Sequence, residues 1–198
     1  TCANINGTQI GGRRNIIING AMNIAQRGTS SSSSGNTQQT VDRFYVDVGG
    51  ADEQPEQAQV DVASGTTPYT LGFRKAYKII NGNQTSGAGG TDYIAYIMKL
   101  EAQDIANSGW RYMYNTSGDD FITLSFWVKS SVAQNFYGYL YSHDGSAQSY
   151  AFETGSLSAN TWTKVTKTIP GNSNLTFDNN NDSGLDIYIS QFWGTDRT

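Results

Sequence analysis

The sequence predicts an all-β protein, a sandwich of antiparallel sheets, from three observations. The first is the stretch FITLSFWVKSS, residues 121–131. Ile122, Leu124, Phe126 and Val128 fall on one face, and Thr123, Ser125, Trp127 and Lys129 on the other. Only a pleated strand turns that alternation into one apolar and one mixed face. Four large apolar groups on one side then need a second layer to cover them, so this strand is expected at the middle of the sandwich. The second observation is composition: 22 glycines, 12% aromatic and only 15% charged residues describe strands joined by turns. The third is the spacing of the turn signals, which divides the chain into roughly eight to ten short strands.

In chain order, residues 1–14 are polar and rich in glycine, and read as an arm or linker arriving from an upstream region. Ile16-Ile17-Ile18 predicts a short buried strand and Asn19-Gly20 a tight turn. Residues 21–26 fit a second strand or a helical turn equally. Residues 29–40, with five consecutive serines, predict a loop. Strands are expected at 41–46, 58–62 and 69–80, the last with Leu71, Phe73 and Tyr77 on one face, and an acidic turn at 52–57. Residues 81–91 form a glycine-rich connection. Residues 93–100 fit both periods; a strand is favoured, followed by a helical turn over 103–107. Beyond the central strand come strands at 135–142, 150–153 and 162–169, with a turn at Asp144-Gly145. Asn-rich residues 172–184 lead to a last strand in which Leu185, Ile187 and Ile189 oppose Tyr188 and Phe192.

A net charge of -4 argues against binding to a phosphate backbone, which needs a basic face. Cys2 is the only cysteine, so neither an internal disulfide nor a four-thiolate metal site is expected. No stretch reads as a signal peptide or a membrane span.

NIIINGAMNIAQRG (residues 15–28), followed after a loop by VDRF (41–44), resembles a signature of bacteriophage virion proteins. In those proteins an Asn-Leu-Ile-x-Asn-Gly segment precedes Gln-Arg-Gly, then Asp-Arg and an aromatic residue. LSFWVKSS (124–131) and WTKVTKTIPG (162–171) are similar to later strands of the same module. The resemblance spans about residues 13–193. It implies a jelly roll like that of carbohydrate-binding modules, carried at the distal end of tail-fibre-like proteins. It also implies a homotrimer, by analogy with three-fold fibres, and carries no catalytic motif. Such modules run on past a point like Phe192-Trp193-Gly194, so residues 15–198 are expected to be a jelly roll lacking its closing strand, in a chain that is a piece of a longer protein.

Four sets of residues are candidates for function. Tyr137, Tyr139 and Tyr141 share a face, and Trp110 and Arg111 precede the central strand; flat rings with polar neighbours suit sugars, and the bland alternative is packing against a sheet or subunit. Asp178, Asn180 and Asp182 stand at alternate positions, as in a calcium loop, but Ser183 occupies the glycine position and Ile189 that of the bidentate glutamate. The alternative there is an Asx-rich turn. His143, the single histidine, lies beside a turn with no nucleophile motif in sight; Glu101 and Glu153 are a candidate carboxylate pair if their strands are adjacent, and the 13 aspartates add further candidates. Arg27, Asp42 and Arg43 read as a polar network tying the start of the fold together.

The expected function is therefore non-catalytic. The leading reading is a virion structural module that attaches to host-surface glycan and docks to other virion proteins, with no nucleic acid, membrane insertion or obligatory cofactor. A decoration or assembly element binding only protein is the second reading. A carbohydrate-binding module of a secreted polysaccharide-degrading enzyme is the third.

Overall fold

The computed structural model describes residues 15–32, 38–83, 89–108, 110 and 121–197, together with the backbone of residues 4–5 and 8–9. Strands β1 (Asn4–Ile5) and β2 (Thr8–Gln9) pair with each other. The following strands are β3 (Ser30–Ser31), β4 (Phe44–Gly49), β5 (Glu56–Asp61), β6 (Lys75–Ile80), β7 (Tyr93–Glu101), β8 (Phe121–Val128), β9 (Asn135–Ser142), β10 (Ser149–Ser156), β11 (Thr163–Pro170) and β12 (Ser183–Trp193). Two short helices, α1 (Thr67–Thr70) and α2 (Ala102–Ala106), interrupt them.

One layer is a five-stranded antiparallel sheet in the order β10-β9-β12-β7-β4. The facing layer is divided between the ribbon β11-β8 and the sheet β3-β5-β6. From β7 onward the chain alternates between layers: β8 crosses, β9 and β10 return, β11 crosses again and β12 closes the centre. That winding is a jelly roll. The core lies between the layers. Phe44, Met98, Leu100, Leu140, Phe152, Leu185 and Ile187 come from the large sheet, and Ile169, with Ile122, Leu124 and Phe126, from the ribbon. Phe126 meets Phe152 edge-on at 6.4 Å, and Tyr77 of β6 covers Phe44 and Tyr96 at 6.5 and 5.4 Å.

The apolar face of β8 is as the alternation predicts, but β8 is not the middle strand. Among the described residues it pairs with β11 alone, and Thr123 and Ser125 are exposed. The centre is β12, which is paired on both sides and carries four consecutive buried residues, Gly184 to Ile187. β9 fits beneath Phe152 because Gly138 has no side chain; a Cβ there would lie 2.5 Å from the Phe152 ring.

Three local expectations are corrected. Residues 16–18 form no strand; Ile16 and Ile17 pack on the core from an irregular segment. Asn19 does make the turn, at φ 58°, and its side chain then ties the loop: Nδ2 donates to the carbonyls of Ile24 and Asp42, both at 2.9 Å, and Oδ1 accepts from Ile24 N–H. Residues 21–26 are neither strand nor helix. The strand expected over 69–80 begins at Lys75, because Pro68 starts a helical turn and Gly72 leaves it at φ 101°; Leu71 is exposed rather than sharing a buried face with Tyr77. After Glu101, the expected helical turn is present as α2, whose leading N–H groups, on Ala102 and Gln103, donate to the carbonyls of Asp182 and Asn180.

Ile187→Ala should lower unfolding free energy by about 2–5 kcal/mol, as expected where a buried isoleucine leaves a cavity. Phe121→Ala, at a side chain 55% exposed, should change it by less than about 0.5 kcal/mol. Urea denaturation followed by fluorescence measures both, and equal losses would contradict the layer assignment.

Candidate functional site: the outer face of the five-stranded sheet

The parity that buries Leu185, Ile187 and Ile189 sends Asp186 and Tyr188 to the opposite face of the large sheet. Register then decides their neighbours. Asp186 is flanked by Lys99 on β7 and Tyr141 on β9, and Tyr188 by Ile97 and Tyr139. Tyr45 and Asp47 arrive from β4, and Glu153 from β10 stands beside Tyr137.

The rings form a stacked row. Tyr139 lies parallel to Tyr188 at 4.4 Å and 10°, and its ring also stacks on Trp193 at 5.1 Å and 18°. Offset stacking of this kind adds about 0.5–1.5 kcal/mol per pair beyond burial. Tyr93 and Tyr188 pack over Tyr45, Ala95 and Ile97, which are buried although they belong to the outer face. Tyr137, next to the row, is 55% exposed. Tyr141 meets the His143 ring edge-on at 5.0 Å.

Beneath one end of this layer sits Asp186, 0% exposed. Its Oδ1 accepts from Ser183 Oγ–H. Its Oδ2 accepts from Tyr188 O–H at 3.3 Å and lies 3.0 Å from His143 Nε2 and 3.8 Å from Lys99 Nζ. A buried carboxylate is tolerated only with such partners. Chemically the set is not a hydrolytic triad. There the imidazole lies between hydroxyl and carboxylate, whereas here the carboxylate lies between Ser183 and His143, and no base touches the hydroxyl.

Burial, followed by the negative charge of Asp186, pushes the hydroxyls of Tyr45 and Tyr188 well above the ordinary phenol value; burial likewise raises Tyr77 and Tyr96 in the core.

The sequence candidates are distributed as follows. Tyr137, Tyr139 and Tyr141 do share one outward face. Trp110 does not join them: it is 4% exposed, in the core between the layers, stacked on Phe177 at 6.0 Å. Its apolar ring area outweighs any gain from the surface. Arg111 lies outside the described residues. Glu101 and Glu153 are not on adjacent strands, since β12 and β9 separate β7 from β10. Three strand spacings amount to about 14 Å, too far for a glycosidase pair. Glu101 instead meets Arg43 Nη1 at 3.4 Å, and Glu153 accepts from Asn135 Nδ2.

Arg27 and Asp42 are joined as expected, at 3.5 Å, with Asp42 also accepting from Gln26 N–H. Arg43, at φ 76°, pairs with Glu101. Of the calcium-loop residues, Asn180 Oδ1 accepts from Asp182 N–H, as in an Asx turn, and Asp178 N–H donates to Asp144 Oδ2 across the neighbouring hairpin turn. Among the described residues no three His, Cys, Asp or Glu side chains stand together as a metal set, and no helix is long and apolar enough to cross a membrane. Sequence reading missed Asp186, Lys99 and Trp193. The available signal was a carboxylate at an outward position inside the apolar run of a strand, where aspartate is disfavoured.

No protein-family profile matches the chain, and no curated protein matches it.

The raised tyrosines fix a pH window. Their neutral form is favoured in the folded state, so their contribution is fully present below the unfolded value near pH 10 and is lost as pH rises toward the folded values. Stability should therefore decline from about pH 10 upward, and the last tyrosinate absorbance should appear together with loss of structure. Complete ionisation of all 12 tyrosines in a protein that keeps its circular dichroism would contradict this.

Proposed function

We propose that this protein is a non-catalytic attachment module of a bacteriophage virion, and that the outer face of the five-stranded sheet takes neutral host-surface glycan. The observation that carries the reading is the exposed Tyr137 beside the stacked row Tyr188–Tyr139–Trp193, on a rigid sheet and with polar groups at its margins. Flat rings offer a π face to sugar C–H groups, while Asn135, Glu153 and Asp47 supply acceptors and donors for hydroxyls. Asp47, Glu153 and Asp186 against Lys99 leave the face net acidic, which disfavours uronic and sialic acids. The virion assignment, and a trimer with it, follows from the resemblance of residues 15–28 and 41–44 to phage virion signatures.

A second reading has an observation of its own. Both ring faces of Tyr139 are already covered by Tyr188 and Trp193, which leaves a flat, rigid patch suited to an assembly contact with another virion protein.

A panel of bacterial surface polysaccharides separates the two. Saturable binding to a neutral polysaccharide, weakened about tenfold by Tyr137→Ala, supports attachment. Absence of binding to every member, with Tyr137→Ala instead dissociating an oligomer seen by light scattering, selects assembly and overturns attachment.

A further inference from the structure

A pocket opens between the layers, on the other side of the β9–β10 hairpin from the tyrosine row. Trp110, Ser142, Leu140, Ile169 and Leu175 line its inside, and Tyr150, Gln148 and Asn172 its mouth. It holds about 100 Å³, well below the usual range of ligand pockets and sized for one small substituent.

Its polar groups are unevenly used. The Nε1–H of Trp110 is buried and has no hydrogen-bond partner among the described residues. Ser142 is 1% exposed; its oxygen accepts from Gln148 N–H at 2.8 Å, and its own proton has no acceptor among the described residues. Buried donors without partners are rare and call for a physical cause. Gln148 spends Nε2 on the carbonyls of Ser146 and Ala147, which leaves Oε1 as an acceptor. The deep wall is aliphatic, and Tyr150, 37% exposed, offers a ring at the mouth.

We infer that the pocket binds the acetamido group of an N-acetylated amino sugar. The carbonyl oxygen takes the two donors, the amide N–H reaches Gln148 Oε1, the methyl fills the aliphatic wall, and the sugar ring rests on Tyr150. A plain hexose fits less well, because a hydroxyl placed there must also donate, and aliphatic side chains form the inner wall. The inference rests on the glycan-attachment reading and adds the sugar class to it.

The test uses the isotope-labelled protein, whose four tryptophans give separate indole N–H resonances, with N-acetylglucosamine and N-acetylgalactosamine as probes against glucose and galactose. The Trp110 resonance, identified by its loss in Trp110→Phe or by elimination through the other three tryptophans, should shift saturably with an N-acetylated sugar and not with the parent hexoses. Ser142→Ala should weaken the titration about fivefold to tenfold, the worth of one hydrogen bond. Tyr150→Ala, at the exposed rim, should weaken it severalfold. A Trp110 resonance unmoved by both N-acetylated sugars, or moved equally by glucose, overturns the inference. Polysaccharide binding through Tyr137 with Trp110 silent removes the pocket and leaves attachment standing. A Trp110 shift with no polysaccharide bound by the outer face retains the pocket and removes the tyrosine row as the attachment surface.

Discussion

Asp186 is a fully buried carboxylate in the middle of a strand whose neighbours in sequence, Leu185 and Ile187, belong to the core. The outer face of the large sheet is arranged around it. Moving an ionised group out of water is costly, and the cost is met only by well-placed donors and opposite charge. Four elements of sequence supply them: Ser183 at the strand's start, Tyr188 two residues on, Lys99 from β7 and His143 from the end of β9. A register slip of one residue in β12 would place Asp186 in the apolar core and Ile187 outside. The same constraint that hides the carboxylate therefore fixes which rings meet above it.

With Tyr188 held by Asp186, Tyr139 of β9 stacks on both Tyr188 and Trp193 of β12. These side chains are ordered before any partner arrives, so binding does not incur the cost of immobilising them. Such pre-ordering is what the proposed recognition surface requires. The carboxylates of the chain are engaged structurally at Asp186, Glu101 and Asp42, and the single histidine faces a carboxylate rather than a hydroxyl.

Much of the fold is legible where a periodic pattern and a local turn agree. β9 and the face shared by Tyr137, Tyr139 and Tyr141 follow from alternation between two turn signals, and β7 with α2 matches the favoured of the two readings that residues 93–100 allow. Pairing is not legible. The alternation of β8 is as regular as that of β12, yet β8 ends in a two-stranded ribbon because partner choice depends on long-range register, which no local window contains. Residues 16–18 read as a strand from residue type, but Asn19 holds the segment in a loop through three side-chain hydrogen bonds, two to Ile24 and one to Asp42, more than twenty residues away. The site was half visible: the tyrosine face follows from parity, whereas Trp110 looks the same in sequence whether it is buried or exposed, and Asp186 acquires its partners only when β7, β9 and β12 are aligned.

The most direct test of this arrangement is Asp186→Asn, followed by chemical denaturation and by near-ultraviolet circular dichroism, which reports the stacked rings. If the carboxylate organises the outer face, the variant loses about 1.5–3 kcal/mol, the range for a hydrogen bond to a charged group, and the aromatic signal collapses while the far-ultraviolet spectrum of the sheets persists. An unchanged midpoint with an intact aromatic signal would show that the rings order themselves without Asp186.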